Sequence, residues 1–103
     1  MSYEIYKRPQ AERDIEECFV FIAEENLDTG VNFLVAVEDA LEQLTRFPFL
    51  GKKRDFADPR FREMRVWQVK DFEKYLIFYQ VIDDRIEMIR LLHSSRDLIE
   101  LFA

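Results

Sequence analysis

A chain of 103 residues with 21 acidic and 15 basic side chains has room for one domain, and its net charge of −6 argues against a protein that grips RNA or DNA by neutralising phosphates. With 49% hydrophobic and 15% aromatic residues it is not a disordered polypeptide. It has no long apolar run and no secretory pattern, so a cytoplasmic protein that stays out of the membrane is expected.

Residues 2–6 alternate, with Tyr3 and Ile5 against Ser2, Glu4 and Tyr6, and predict a short first strand. Pro9 suits the first turn of a helix, where its missing N–H would be unpaired anyway. Ala11, Ile15, Cys18, Phe19 and Ile22 then recur at helical spacing, and Glu12, Asp14, Glu16 and Glu17 load the early half with acid, as the helix dipole favours. The spacing predicts a helix over 9–25. Cys18 falls on its apolar stripe and reads as a buried helix residue; as the one cysteine of the chain it cannot close an internal disulfide. Without a Cys/His cluster no metal is expected, and nothing asks for another cofactor.

Asp28 or Thr29 can cap a second helix, striped by Phe33, Val37, Ala40, Leu41 and Leu44 and stopped by Pro48. The short link at 25–28 makes the two helices an antiparallel hairpin. Residues 49–60, with Gly51, Pro59 and the basic run Lys52-Lys53-Arg54, read as a loop. Residues 61–69 and 75–82 alternate as strands, and 85–92 follows after Asp83-Asp84, two residues that tolerate φ > 0 and predict a tight hairpin. Ser94 or Ser95 with Asp97 has the form of a capping box for a short last helix ending at Phe102. The order is strand, two-helix hairpin, three-strand antiparallel meander and short terminal helix. That is an α+β two-layer fold in one domain over 1–103.

A two-residue turn at Asp83-Asp84 sets Val81 opposite Ile86, Tyr79 opposite Met88, Ile77 opposite Arg90 and Tyr75 opposite Leu92. The other face then carries Leu76, Phe78, Ile82, Ile89, Leu91 and His93. With residues 70–73 as the preceding loop, Arg65 and Trp67 join this second face, and Met64 and Val66 join the first. The helices cover only one face, and the terminal turn of Leu98, Leu101 and Phe102 covers part of the other. An open apolar face is expected, and with it a partner.

The run from Lys74 to Asp97 holds Tyr75-x-Ile77-x-Tyr79, an acidic turn, then Ile86-x-x-Ile89-Arg90-x-Leu92-His93-x-x-Arg96-Asp97. This resembles the C-terminal signature of the ParE/RelE superfamily, the small bacterial toxins of type II toxin–antitoxin modules that stabilise plasmids. The resemblance covers nearly the whole chain and implies the α+β fold read above. It also implies one of two activities. The RelE branch cleaves messenger RNA in the ribosome without metal, chemistry that needs a cation for the pentacovalent phosphate and an acid–base pair. Its candidates here are Arg65, His93 and Arg96, with the Lys52-Lys53-Arg54 cluster. That branch, however, has an arginine where this chain has Leu76, and a tyrosine that matches Phe102. The ParE branch shares the aliphatic residue between the tyrosines and the Leu-His-x-x-Arg-Asp ending; it binds DNA gyrase and traps the cleaved complex without catalysing a reaction of its own.

The resemblance therefore implies a ParE-like toxin, not an enzyme, neutralised by a cognate antitoxin and inhibiting DNA gyrase. Its alternatives are a ribosome-dependent endoribonuclease and a non-toxic relative that keeps antitoxin binding. Expected target-binding residues are Arg90, His93, Arg96 and Asp97. Expected antitoxin-binding residues are Trp67, Leu76, Phe78 and Leu91 with Lys52, Lys53 and Arg54. Each has a structural alternative: His93 capping a strand end, Arg96 and Asp97 paired locally, Arg65 and Arg90 snorkelling from the sheet, Trp67 in the core and the basic run solvated.

Overall fold

Alternating and helically spaced apolar residues condense into eight elements in a computed structural model that describes residues 2–56 and 58–96. Strand β1 (Glu4–Lys7) leads into helices α1 (Pro9–Glu25) and α2 (Leu27–Arg46), then β2 (Lys52–Arg54), a 3₁₀ turn (Pro59–Phe61), β3 (Met64–Val69), β4 (Phe72–Ile82) and β5 (Arg85–His93). The expected helix over 9–25 and the meander of β3, β4 and β5 are both present. The last expected helix, with Asp97, Leu98, Leu101 and Phe102, lies outside the described residues.

Helix α2 starts two residues earlier than an Asp28 cap would allow: the Asn26 side chain caps it, accepting from the Thr29 N–H at 3.0 Å. Its stripe of Phe33, Val37, Ala40, Leu41 and Leu44 is buried against the sheet, as its spacing requires. The two helices touch where Gly30 meets Ala23; a Cβ on Gly30 would stand 2.8 Å from that of Ala23, so only glycine allows the approach.

The sheet has five strands in the order β1-β5-β4-β3-β2. β1 lies parallel to β5, with Ile5 opposite Ile86, a long-range pairing that alternation within 2–6 could not reveal. Lys52-Lys53-Arg54, expected as loop, pairs antiparallel with β3 as a short edge strand. Three exposed cations carry no hydrophobic alternation to betray a strand, yet charge is how an edge avoids pairing with other chains.

Register corrects the expected faces. Val81 faces Ile86 and Tyr79 faces Met88 as expected, with Asp83 at φ 55° in the turn. Beyond that point Phe78 faces Arg90, so Ile89 is an extra residue in β5 and the ladder slips by one. Leu91 moves to the helix side, and Leu92 to the opposite side with Phe78 and Ile89. On the other flank the turn is Lys70-Asp71 and not a four-residue loop. Trp67 therefore faces Ile77 and joins the helix-side core, while Met64 and Val66 go to the opposite face. The opposite face is not open: Phe56 and Phe61, from the segment between β2 and β3, pack on it, and Met64 and Phe78 have no exposed surface.

Two buried carboxylates tie the layers together. Asp14 of α1 accepts from Arg90 Nε at 2.7 Å, from the Leu91 backbone N–H at 3.0 Å and from Gln10 Nε2 at 3.0 Å. Glu87 of β5 accepts from Arg85 at 2.7 Å and from Arg8, just ahead of α1, at 3.0 Å. Burial pushes the Glu87 carboxyl up, but the hydrogen bonds from Arg85 and Arg8 outweigh it and hold it below the usual 4.5. The stabilisation from Glu87 is therefore present above that value and lost as pH falls through the lower folded value.

Asp14→Ala is expected to cost about 3–5 kcal/mol in urea unfolding, since it strands both the Arg90 guanidinium and the Leu91 N–H. Glu87→Gln is expected to be less stable near neutrality and to lose less stability on acidification from roughly pH 5 to pH 3.

Candidate functional site

Pairing between β2 and β3 ends at Lys52 opposite Val66, while β3 runs on to Val69. Among the described residues the outer edge at 67–69 has no strand beside it, and a groove of about 940 Å³ follows that edge. Ala36, Ala40 and Gln43 of α2 form one bank, Trp67 and Leu76 are in its lining, and Lys52, Lys53 and Arg54 stand at the β2 end. Five of the seven residues expected to bind an antitoxin thus line one groove around this edge, with half-buried Trp67 on the helix side, half-buried Leu76 on the other and exposed cations beside them. The other two do not: Phe78 and Leu91 are 0% and 1% exposed, because the bulge and the Phe56/Phe61 cover close both faces. Lys53 leans to Glu63 at 3.3 Å, and the Arg54 guanidinium lies 5.4 Å from the Phe56 ring.

Next to the groove, the turn at 47–50 is held from behind. The Tyr79 hydroxyl, buried in the core, donates to the Pro48 carbonyl at 2.8 Å and accepts from the Gly51 N–H at 2.8 Å. A Cβ on Gly51 would sit 2.5 Å from that oxygen. Burial pushes the Tyr79 phenol up, against the Gly51 hydrogen bond and Arg65. Arg65 donates to the Gly51 carbonyl at 2.8 Å and lies 4.9 Å from the centre of the Phe49 ring. Sequence reading assigned no role to this turn beyond the stop at Pro48; a buried tyrosine hydroxyl that needs partners is a signal visible only in three dimensions.

A second hollow, of about 340 Å³, lies where β5 ends beside α1. His93 and Arg96 line it with Ser95, Cys18, Phe21 and Tyr75. The His93 ring meets Tyr75 edge-on at 5.0 Å, and its Nδ1 accepts from the Ser95 N–H at 3.1 Å. That bond caps the strand end. Burial, then the charges of Asp14 and Glu17, push the Cys18 thiol up to about 11, against Arg96. Among the expected target-binding residues, His93 and Arg96 come together. Arg90 does not join them: its guanidinium is committed to Asp14 and its side chain is 19% exposed. Asp97 lies outside the described residues. Arg65 faces Tyr79, four positions along β4 from the Tyr75 that faces His93, so the three nuclease candidates are not assembled around one phosphate.

A family model for the ParE toxin of the type II toxin–antitoxin system parDE matches residues 5–98. No curated protein sequence matches. A chain from a solved structure of a chromosomal ParDE TA system from P. aeruginosa superposes with a TM-score of 0.70 at 11% identity, covering 89% of this chain and 96% of that one. At that identity the likeness is one of fold.

Gly51→Ala is expected to lower stability by about 1–3 kcal/mol in urea unfolding, as an added methyl in a filled core does. Combining it with Tyr79→Phe, which removes the clashing oxygen, should cost less than the sum of the two single changes. Cys18 is expected to react with a thiol reagent at pH 8 at least about tenfold more slowly in the folded chain than in urea, because so little thiolate is present.

Proposed function

This chain belongs to the family of ParE toxins of type II toxin–antitoxin systems, and from that premise we propose that it is the toxin of such a pair, held inactive by an antitoxin seated in the groove along β3, with DNA gyrase as its cellular target. The observation that carries the antitoxin half is the meeting of Trp67 and Leu76 with Lys52, Lys53 and Arg54 along an unpaired sheet edge. A groove with Ala36, Ala40, Trp67 and Leu76 in its lining, cations at its β2 end and carboxylates at Asp39, Asp71 and Glu73 suits an extended or amphipathic segment that places apolar side chains against Trp67 and carboxylates against the β2 cations. The open edge adds backbone N–H and C=O groups for a strand to pair with. A complex of ordinary size would bury on the order of 1,600 Å² in total, so such a segment would also cover surface beyond the groove.

The gyrase half rests on the kinship and on chemistry that this chain lacks. Leu76 stands where the nuclease branch keeps an arginine, and Arg65 is engaged with the 47–51 backbone away from His93 and Arg96. A leucine supplies neither charge nor proton to a phosphoryl transition state. His93 and Arg96, in the hollow beside α1, are the residues we assign to the edge of the target contact.

Trp67→Glu and the Lys52→Glu/Lys53→Glu pair are each expected to weaken the complex with the cognate antitoxin at least about tenfold, measured by calorimetry on variants that keep their unfolding midpoint. Unchanged affinity in folded variants would place the antitoxin elsewhere. Purified toxin is expected to inhibit gyrase supercoiling and accumulate cleaved complex while leaving messages on translating ribosomes intact. Site-specific message cleavage that is lost in His93→Ala would replace gyrase with the ribosome.

A further inference from the structure

The turn after α2 holds three large apolar side chains out in water. Phe47 and Phe49 are each 59% exposed and Leu50 is 40% exposed, around a buried Pro48. Apolar groups clustered at such exposure mark an interaction site more often than an accident of packing. This turn is also rigid. Pro48 sits at the second position of a β-turn closed by the Leu50 N–H on the Phe47 carbonyl at 3.2 Å, where its fixed φ suits the bend. Behind it stand the Tyr79 hydroxyl, the Gly51 backbone and the Arg65 guanidinium, each bonded to the turn or its neighbour. A buried hydroxyl, a glycine with no room for a Cβ and a guanidinium all hold this turn in one shape. Apolar side chains displayed on a fixed backbone lose little further freedom on binding, which is what interface anchors require.

Charge narrows the occupant. Arg46 precedes the turn, and Lys52, Lys53 and Arg54 follow it, in a chain whose net charge is −6. A second copy packed about a two-fold axis would bring these cations against themselves. An anionic membrane would meet the cations but repel the acidic remainder of the molecule. What suits both features is a protein surface with an apolar cleft edged by carboxylates.

We propose that the 47–50 turn is the anchor with which this toxin engages its cellular target, Phe47 and Phe49 entering an apolar cleft whose acidic rim meets Arg46 and the β2 cations. The inference rests on the toxin reading above but not on gyrase being the target. Leu50 and Lys52 also line the groove assigned to the antitoxin, so an antitoxin seated there shadows the turn. Neutralisation then follows from occlusion.

The test is growth arrest on titrated expression of the full chain without antitoxin, comparing wild type with Phe47→Ser/Phe49→Ser. The double variant is expected to keep its urea midpoint, its oligomeric state and an antitoxin affinity within about twofold of wild type, and to need at least about tenfold more expression for arrest. If it does not fold, Phe47→Glu alone, which sets a carboxylate against the proposed acidic rim, is read in its place. Undiminished arrest by a folded variant overturns the proposal. So does a parallel loss of antitoxin affinity, which gives the turn to the antitoxin, or a changed oligomeric state, which gives it to a second copy. Loss of wild-type binding to phosphatidylglycerol vesicles would give it to a membrane, and a wild type that arrests nothing has no target to anchor. Supercoiling by purified gyrase is read separately: a wild type that arrests growth and leaves gyrase untouched removes the gyrase assignment and leaves the turn to be judged by arrest alone.

Discussion

The Asp14 carboxylate is the contact on which the arrangement of layers depends. It sits in the second turn of α1, 5% exposed, and accepts from the side chain of Arg90 and the backbone of Leu91 at the point where Ile89 interrupts the β4–β5 ladder. A buried N–H without a partner is costly. Asp14 supplies one to Leu91, two residues past Ile89, so helix α1 docks beside the irregular part of the strand. Shape-blind hydrophobic packing of α1 would fix neither its rotation nor its height on the sheet; a charged, directional bond from a single residue fixes both.

The bulge also decides which apolar surface stays open. By slipping the ladder it turns Leu91 under the helices and leaves Phe78, Ile89 and Leu92 on the opposite face, where Phe56 and Phe61 cover them. With both sheet faces closed, apolar surface remains on the helices, at Val20, Phe21, Val31 and Val35, and at three places on edges and turns: along 67–69, at 47–50 and beside His93. These places share a property that faces lack. Each joins apolar side chains to charged or polar groups, and such mixtures give a partner orientation as well as affinity.

Two of the three sites adjoin. The groove along β3 and the turn after α2 share Leu50 and Lys52, and both lean on Tyr79, whose partners are the turn on one side and Arg65 opposite it in β3. A core tyrosine that braces a surface turn couples stability to recognition: substitutions behind the turn blur its shape before they unfold the domain. The cations there also serve the fold in isolation, since a short, charged edge strand deters pairing between copies.

Local pattern was enough for much of this protein. The helix over 9–25, the stripe of α2, the three-strand meander and the Asp83 turn follow from spacing and turn chemistry among near neighbours in the chain, which is where such rules operate. The ending from Tyr75 to Arg96 was enough to suggest the family, and Trp67, Leu76 and the 52–54 cations, which sequence put on one partner surface, do line one groove. What the sequence could not hold was anything decided by one residue of register or by contacts far apart in the chain. The extra residue at Ile89 has no signature, since Ile89-Arg90-Leu91 alternates acceptably either way; the bulge, beside the Asp14 contact from α1, sets the faces of Leu91 and Leu92. β1 lies beside β5, and β2 exists at all, because distant strands offer them partners. The turn at 47–50 reads as a helix stop in sequence. It becomes a fixed display of phenylalanines only when Tyr79, 31 residues from Pro48, reaches it through the core.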